Sequence, residues 1–92
     1  MLTYQTTKFM TDLLQKVQVL QLAVACLNDG HSLHVDFNSS EDHFGGTERY
    51  ISIDVALFEG TNIVKTWDFM AHDDADTLQH ILEDAAFFIS RL

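Results

Sequence analysis

The sequence predicts a two-layer α+β domain of order α-β-β-β-α, a three-stranded antiparallel meander with two helices packed on one face. Three observations lead there. Apolar residues recur at three- and four-residue spacings near both ends of the chain, the pattern of amphipathic helices. Between those ends, three runs alternate apolar and polar residues, as half-buried strands do. The chain has no proline, internal repeat, low-complexity tract or linker, so residues 1–92 read as one domain. At 47% hydrophobic, it can bury a core without metal or disulfide staples.

The first helix is expected over residues 6–28, with Met10, Leu13, Leu14, Val17, Leu20, Val24 and Leu27 on its core stripe. Asp29-Gly30 ends it, because glycine readily takes the left-handed conformation past a helix terminus. Val19, Leu22 and Cys26 make a second stripe on the opposite side. Either the domain buries this half of the helix on both sides, or the stripe meets another subunit. Cys26 is the lone cysteine and sits in an apolar run, so it reads as a buried, inert thiol.

Residues 31–37 form the first strand, sending Leu33, Val35 and Phe37 to the core and His34 and Asp36 to the other face. Residues 38–48 are polar, contain Gly45-Gly46, and connect it to the next strand at greater length than a tight hairpin needs. The second strand, 50–58, turns Ile51, Ile53, Val55 and Leu57 inward and Tyr50, Ser52, Asp54, Ala56 and Phe58 outward. Residues 59–62 read as a hairpin turn, followed by a third strand over 63–70 that points Trp67 and Phe69 inward. The last helix is capped by Asp73 or Asp74, with further acid in its first turn to match the positive end of the helix dipole. Its core stripe is Leu78, Ile81, Leu82, Ala85, Ile89 and Leu92.

Charge narrows the functional classes. Ten aspartates and four glutamates against five Lys/Arg leave a formal net charge of −9. Such a surface repels phosphate backbones and anionic lipid, so direct nucleic-acid or membrane binding is not expected. The longest apolar run, 22–27, is far short of the roughly 20 residues that span a bilayer. The opening Met1-Leu2-Thr3-Tyr4-Gln5 lacks the basic start of an export signal, and a cytoplasmic setting is expected.

The element order resembles that of double-stranded-RNA-binding domains over nearly the whole chain, at the level of topology. Those domains place basic residues at the start of their second helix, where this chain has Asp73, Asp74 and Asp76. The resemblance therefore implies architecture alone. His34-x-Asp36-Phe37 in the first strand, with a glycine-containing hairpin before an acid-capped helix, also resembles the style of small acidic accessory proteins of bacteriophages and mobile elements. That likeness implies a bacterial or phage-infected host cell as the setting.

The candidate constellation lies on the sheet's outer face. A hairpin symmetric about Thr61 sets Phe58 opposite Val64, Ala56 opposite Thr66 and Asp54 opposite Asp68. Like charges across a strand pair are destabilising, and a partner's Arg or Lys, or a cation, would relieve them. A solvated face or a different register would also account for them. Asp36 lies nearby, and Tyr50, Phe58, Val64 and Met70 share the face, an apolar set ringed by carboxylates as in an interface. Packing of the 38–48 connection over this face is the plainer alternative.

On the last helix Phe87 points away from the core stripe, among His80, Glu83, Asp84 and Arg91, as a contact anchor could. Metal binding and cofactors are not expected. His72, Asp76 and His80 align only if the helix begins before its expected cap, and His31 and His34 fall on opposite strand faces. His34, Asp36 and Ser52 are polar neighbours without a marked nucleophile, oxyanion hole or pocket.

The leading expectation is a small acidic protein-interaction module that binds a partner with a basic surface or forms a homodimer through Val19, Leu22 and Cys26 or through Phe87. The alternative is an inhibitor that mimics nucleic acid, of anti-CRISPR or anti-restriction type, with Asp36, Asp54, Asp68, Asp73, Asp74 and Asp76 as a phosphate-like strip. A metal-dependent enzyme using His34/Asp36 or Asp54/Asp68 is the third reading.

Overall fold

A computed structural model describes the backbone of residues 4–41 and 49–92 and the side chains of 8–38 and 51–92. Helix α1 (Tyr4–Leu27) is followed by strands β1 (His31–Glu41), β2 (Arg49–Glu59) and β3 (Asn62–Met70), and helix α2 (Ala75–Ser90) closes the order. The strands form one antiparallel sheet in the order β1-β2-β3, so the middle strand is central and both others are edges. The α-β-β-β-α expectation and its antiparallel meander hold.

The core lies between the sheet and the two helices. Met10, Leu13, Val17 and Val24 of α1 meet Leu33, Ile53, Val55, Leu57, Trp67 and Phe69 of the sheet and Leu78, Leu82, Ala85 and Ile89 of α2 in one cluster. Every sheet residue in that cluster is odd-numbered, as the two-residue strand period requires when one face is covered. Helix α1 packs over β1, α2 packs over β3, and the helices touch each other. The even-numbered face is left without a helix.

Left-handed backbone falls at Asn28 (φ 51°), directly after α1, with Gly30 (φ 92°) opening into β1. Asparagine takes the position past the helix end that the sequence reading gave to glycine; its short polar side chain tolerates that conformation. The two-residue turn Gly60-Thr61 joins β2 to β3, and its positive φ at Gly60 (62°) but not at Thr61 is the φ signature of a type II′ hairpin. Asp74 is the N-cap of α2, its Oδ1 accepting the Thr77 backbone N–H at 2.7 Å. That bond holds the Asp74 carboxyl below its ordinary range. Asp76 lies in the first turn.

Several expected burials fail. Phe37 is 60% exposed although its cross-strand neighbour Ile53 is buried, because β1 is an edge strand and α1 covers it at Leu33 and Val35 without reaching this ring. Leu27 closes α1, Leu92 lies beyond the end of α2, and both stay exposed. Cys26 is exposed too, so it is not the buried thiol its apolar surroundings suggested. Val19 and Leu22 are 66% and 65% exposed, so the domain does not bury α1 on both sides. Strand β1 also outruns its expected end at residue 37. Residues 38–41 are polar and lack the alternation that would have marked them as strand.

Candidate functional site

The open face of the sheet takes its character from strand register. β1 pairs with β2 so that Asp36 lies opposite Asp54, and β2 pairs with β3 so that Asp54 lies opposite Asp68. Three aspartates therefore form one row across all three strands. At the ordinary interstrand spacing, such a row spans about 10 Å. Asp54, on the central strand, is half-buried between its neighbours, while Asp36 and Asp68 on the edge strands are exposed.

The electrostatics of the row are unfavourable to folding. Burial pushes the Asp68 carboxyl above its ordinary 3.8, and a hydrogen bond and charge repulsion from Asp54 add to the shift. A hydrogen bond between two carboxyl groups needs a proton on one of them, so this contact favours the protonated form of Asp68. The expected opposition of Asp54 and Asp68 is present. The expected pairing of Ala56 with Thr66 also holds, but an irregularity between Leu57 and Phe58 pairs Phe58 with Ile63 instead of Val64.

Beside the acidic row, the face becomes apolar and aromatic. His34 and Phe58 stack with ring centroids 4.6 Å apart and planes tilted by 49°. Ala56 and Thr66 continue the row of His34, and Val64 is exposed next to them. On the other side of the aspartates lies the row Asn38, Ser52, Met70. Met70 is half-buried, and Ser52 is buried to 7% exposure as a small side chain on the central strand. Tyr50 lies on β2, but its side chain is outside the described residues, as is the 42–48 segment, the alternative cover for this face.

The remaining candidates lie elsewhere. Asp73, Asp74 and Asp76 sit at the start of α2, where capping and the helix dipole account for Asp74 and Asp76. Asp73 is half-buried, with His72 Nε2 3.8 Å from its Oδ1. His72 precedes the helix, so His72, Asp76 and His80 do not align on it. Phe87 is 59% exposed, and the Arg91 guanidinium stands 4.5 Å from its ring centroid. Among the described residues, no three His, Cys, Asp or Glu side chains converge to hold a metal ion, and no helix is long and apolar enough to cross a membrane.

Neutralising the row tests its energetics. Asp54→Asn is expected to leave stability unchanged or raise it by a few tenths to about 1 kcal/mol, because an Asn amide can donate to Asp68 where a carboxylate repels it. Asp68→Asn should act in the same direction, with a pH signature. A carboxyl whose folded pKa lies above 3.8 imposes no penalty below pH 3.8, and the penalty grows to completion as pH rises through the raised value. The stabilisation by Asp68→Asn should therefore be full at neutral pH and vanish in urea titrations below pH 3.8. A loss above about 1 kcal/mol for either variant at neutral pH would mean that the carboxylate makes a contact the fold needs.

No protein-family model matches the chain, and neither does any curated protein or solved structure.

Proposed function

We propose that this chain is a small protein-interaction module whose open sheet face binds a basic partner, with Asp36, Asp54 and Asp68 receiving an Arg or Lys side chain. The observation that carries this reading is the carboxylate row itself. Three strands place three like charges side by side where each opposition costs folding energy. A cation seated on the row turns that cost into binding energy, and burial at the contact strengthens the attraction.

The surroundings favour a protein side chain over the other readings. Phe58 and His34 stack on one side of the row, Met70 lies on the other, and Val64 is exposed farther along β3, which supplies the apolar and aromatic area an interface uses around a charged anchor. A nucleic-acid mimic would need carboxylates continuing as a strip. The acids beyond β3 include Asp74 and Asp76, already engaged at the start of α2, and thus lend that reading less support. A basic host protein met in the cytoplasm of a bacterial or phage-infected cell is the partner this reading assigns.

A hexa-arginine peptide titrated into the isotopically labelled protein tests it by NMR. Shift changes should gather at residues 34–38, 52–58 and 64–70, weaken with added salt, and fall at least severalfold in the Asp54→Asn/Asp68→Asn double variant. Changes centred on residues 73–76, or equal in the double variant, overturn the proposal.

A further inference from the structure

We propose that the free edge of β1 pairs with β1 of a second copy, antiparallel and centred on Val35, joining two sheets into one of six strands. This surface is the edge of the sheet; its register uses His34 and Asp36 of the open face, but not the reading that this face binds a basic partner. The backbone alternation defines what the edge offers. The Gly60 N–H donates to the Gly30 carbonyl at 3.0 Å, so even-numbered residues of β1 turn their N–H and C=O toward β2. Residues 31, 33, 35 and 37 turn theirs outward.

Two of those outward groups are satisfied within the chain. The His31 N–H donates to Asp29 Oδ1 at 3.1 Å, and Gln21 Nε2 donates to the Leu33 carbonyl at 3.1 Å. Among the described residues, nothing engages the N–H of Leu33 or either backbone group of Val35 and Phe37. The two edges of the sheet also differ. β3 is interrupted by the irregularity opposite Leu57/Phe58 and carries Lys65, devices that discourage pairing. β1 keeps unbroken register over eleven residues and contains neither lysine nor proline.

Donor–acceptor complementarity between an imidazole N–H and a carboxylate selects the second copy and the register. With the two-fold axis at Val35, an outward-facing residue, Val35 exchanges both backbone bonds with its symmetry mate. Leu33 pairs with Phe37 of the other copy, whose N–H can use the free lone pair of the Leu33 carbonyl. His34 then stands opposite Asp36 of the other copy, twice by symmetry, at the close non-hydrogen-bonded positions. The 60% exposed Phe37 ring gains a Leu33 neighbour on the helix-covered face. Moving the axis one residue either way sets Asp36 against Asp36 or His34 against His34, and loses both His–Asp pairs.

Sedimentation equilibrium on the full chain tests the register through a charge swap. The wild type should dimerise. His34→Asp and Asp36→His should each raise the dimer dissociation constant about tenfold or more, and the His34→Asp/Asp36→His double variant should restore it. Both positions are exposed, and far-UV circular dichroism melts check that each variant remains folded. A wild type that stays monomeric at millimolar concentration overturns the proposal. So does a dimer indifferent to the swaps, which would place the contact at Val19, Leu22 and Cys26 of α1 or at Phe87 of α2.

Discussion

Phe69→Ala is expected to remove roughly 3–5 kcal/mol of stability, while Asp68→Asn, one residue before it, removes none. Adjacent strand residues point to opposite faces, and here the faces have opposite demands. Phe69 is wholly buried, pairs across the sheet with Ile53, and belongs to the cluster that both helices close over. Truncating it forfeits the transfer free energy of the ring and leaves a cavity that the close-packed surroundings fill only in part. Asp68 faces away from that core, and its charge is a liability to the fold. A domain of this size has roughly 5–15 kcal/mol of total stability, so Phe69→Ala should show a much lower urea midpoint at nearly constant slope. A loss under about 1 kcal/mol would mean that Phe69 is not the packed centre of the domain.

This contrast separates what was legible in the sequence from what was not. The element order and the core face could be read because strand and helix periods are local properties, visible in Leu33/Val35, Ile53/Val55/Leu57 and Leu78/Leu82/Ala85. Asp54 opposite Asp68 was legible because a short turn constrains the register of its hairpin. The same turn did not reveal the irregularity at Leu57/Phe58, which depends on how β3 twists at the sheet edge. Asp36 could be assigned to the correct face but not to its row. Its register depends on a long polar connection whose residues 38–41 extend β1 without an apolar signature. The stack of His34 on Phe58 was hidden for the same reason, since Ser32 is the residue opposite Phe58 and His34 reaches it from the next row. Phe37 shows the limit from the other side: alternation assigns a residue to a face, but only the placement of α1 decides whether that face is covered there.

Trp67→Phe is expected to cost roughly 1–3 kcal/mol, more than the lost volume alone would suggest. The buried indole donates its Nε1–H to Asp84 Oδ2 at 2.9 Å, tying β3 to α2. Lys65 Nζ lies 3.3 Å from the same oxygen and 5.0 Å and 5.6 Å from the ring centroids of Phe88 and Trp67. Trp67 and Phe88 meet edge to face at 5.8 Å. A phenyl ring at position 67 keeps some of the aromatic contact but leaves Asp84 with Lys65 alone. The carboxylate itself has a pH signature opposite to that of Asp68. The indole hydrogen bond, then the Lys65 ammonium, holds the Asp84 carboxyl below its ordinary 3.8. Its contribution is therefore complete above pH 3.8 and disappears as pH falls through the lowered value. Urea midpoints of wild type and Asp84→Asn, measured from neutral pH downward, should converge in acid, while those of wild type and Trp67→Phe stay apart because the lost packing does not titrate. Equal midpoints for Trp67→Phe and wild type at neutral pH would show that the indole hydrogen bond adds nothing to the fold. That hydrogen bond then could not be what holds α2 against β3, the strand that carries Asp68 to the open face.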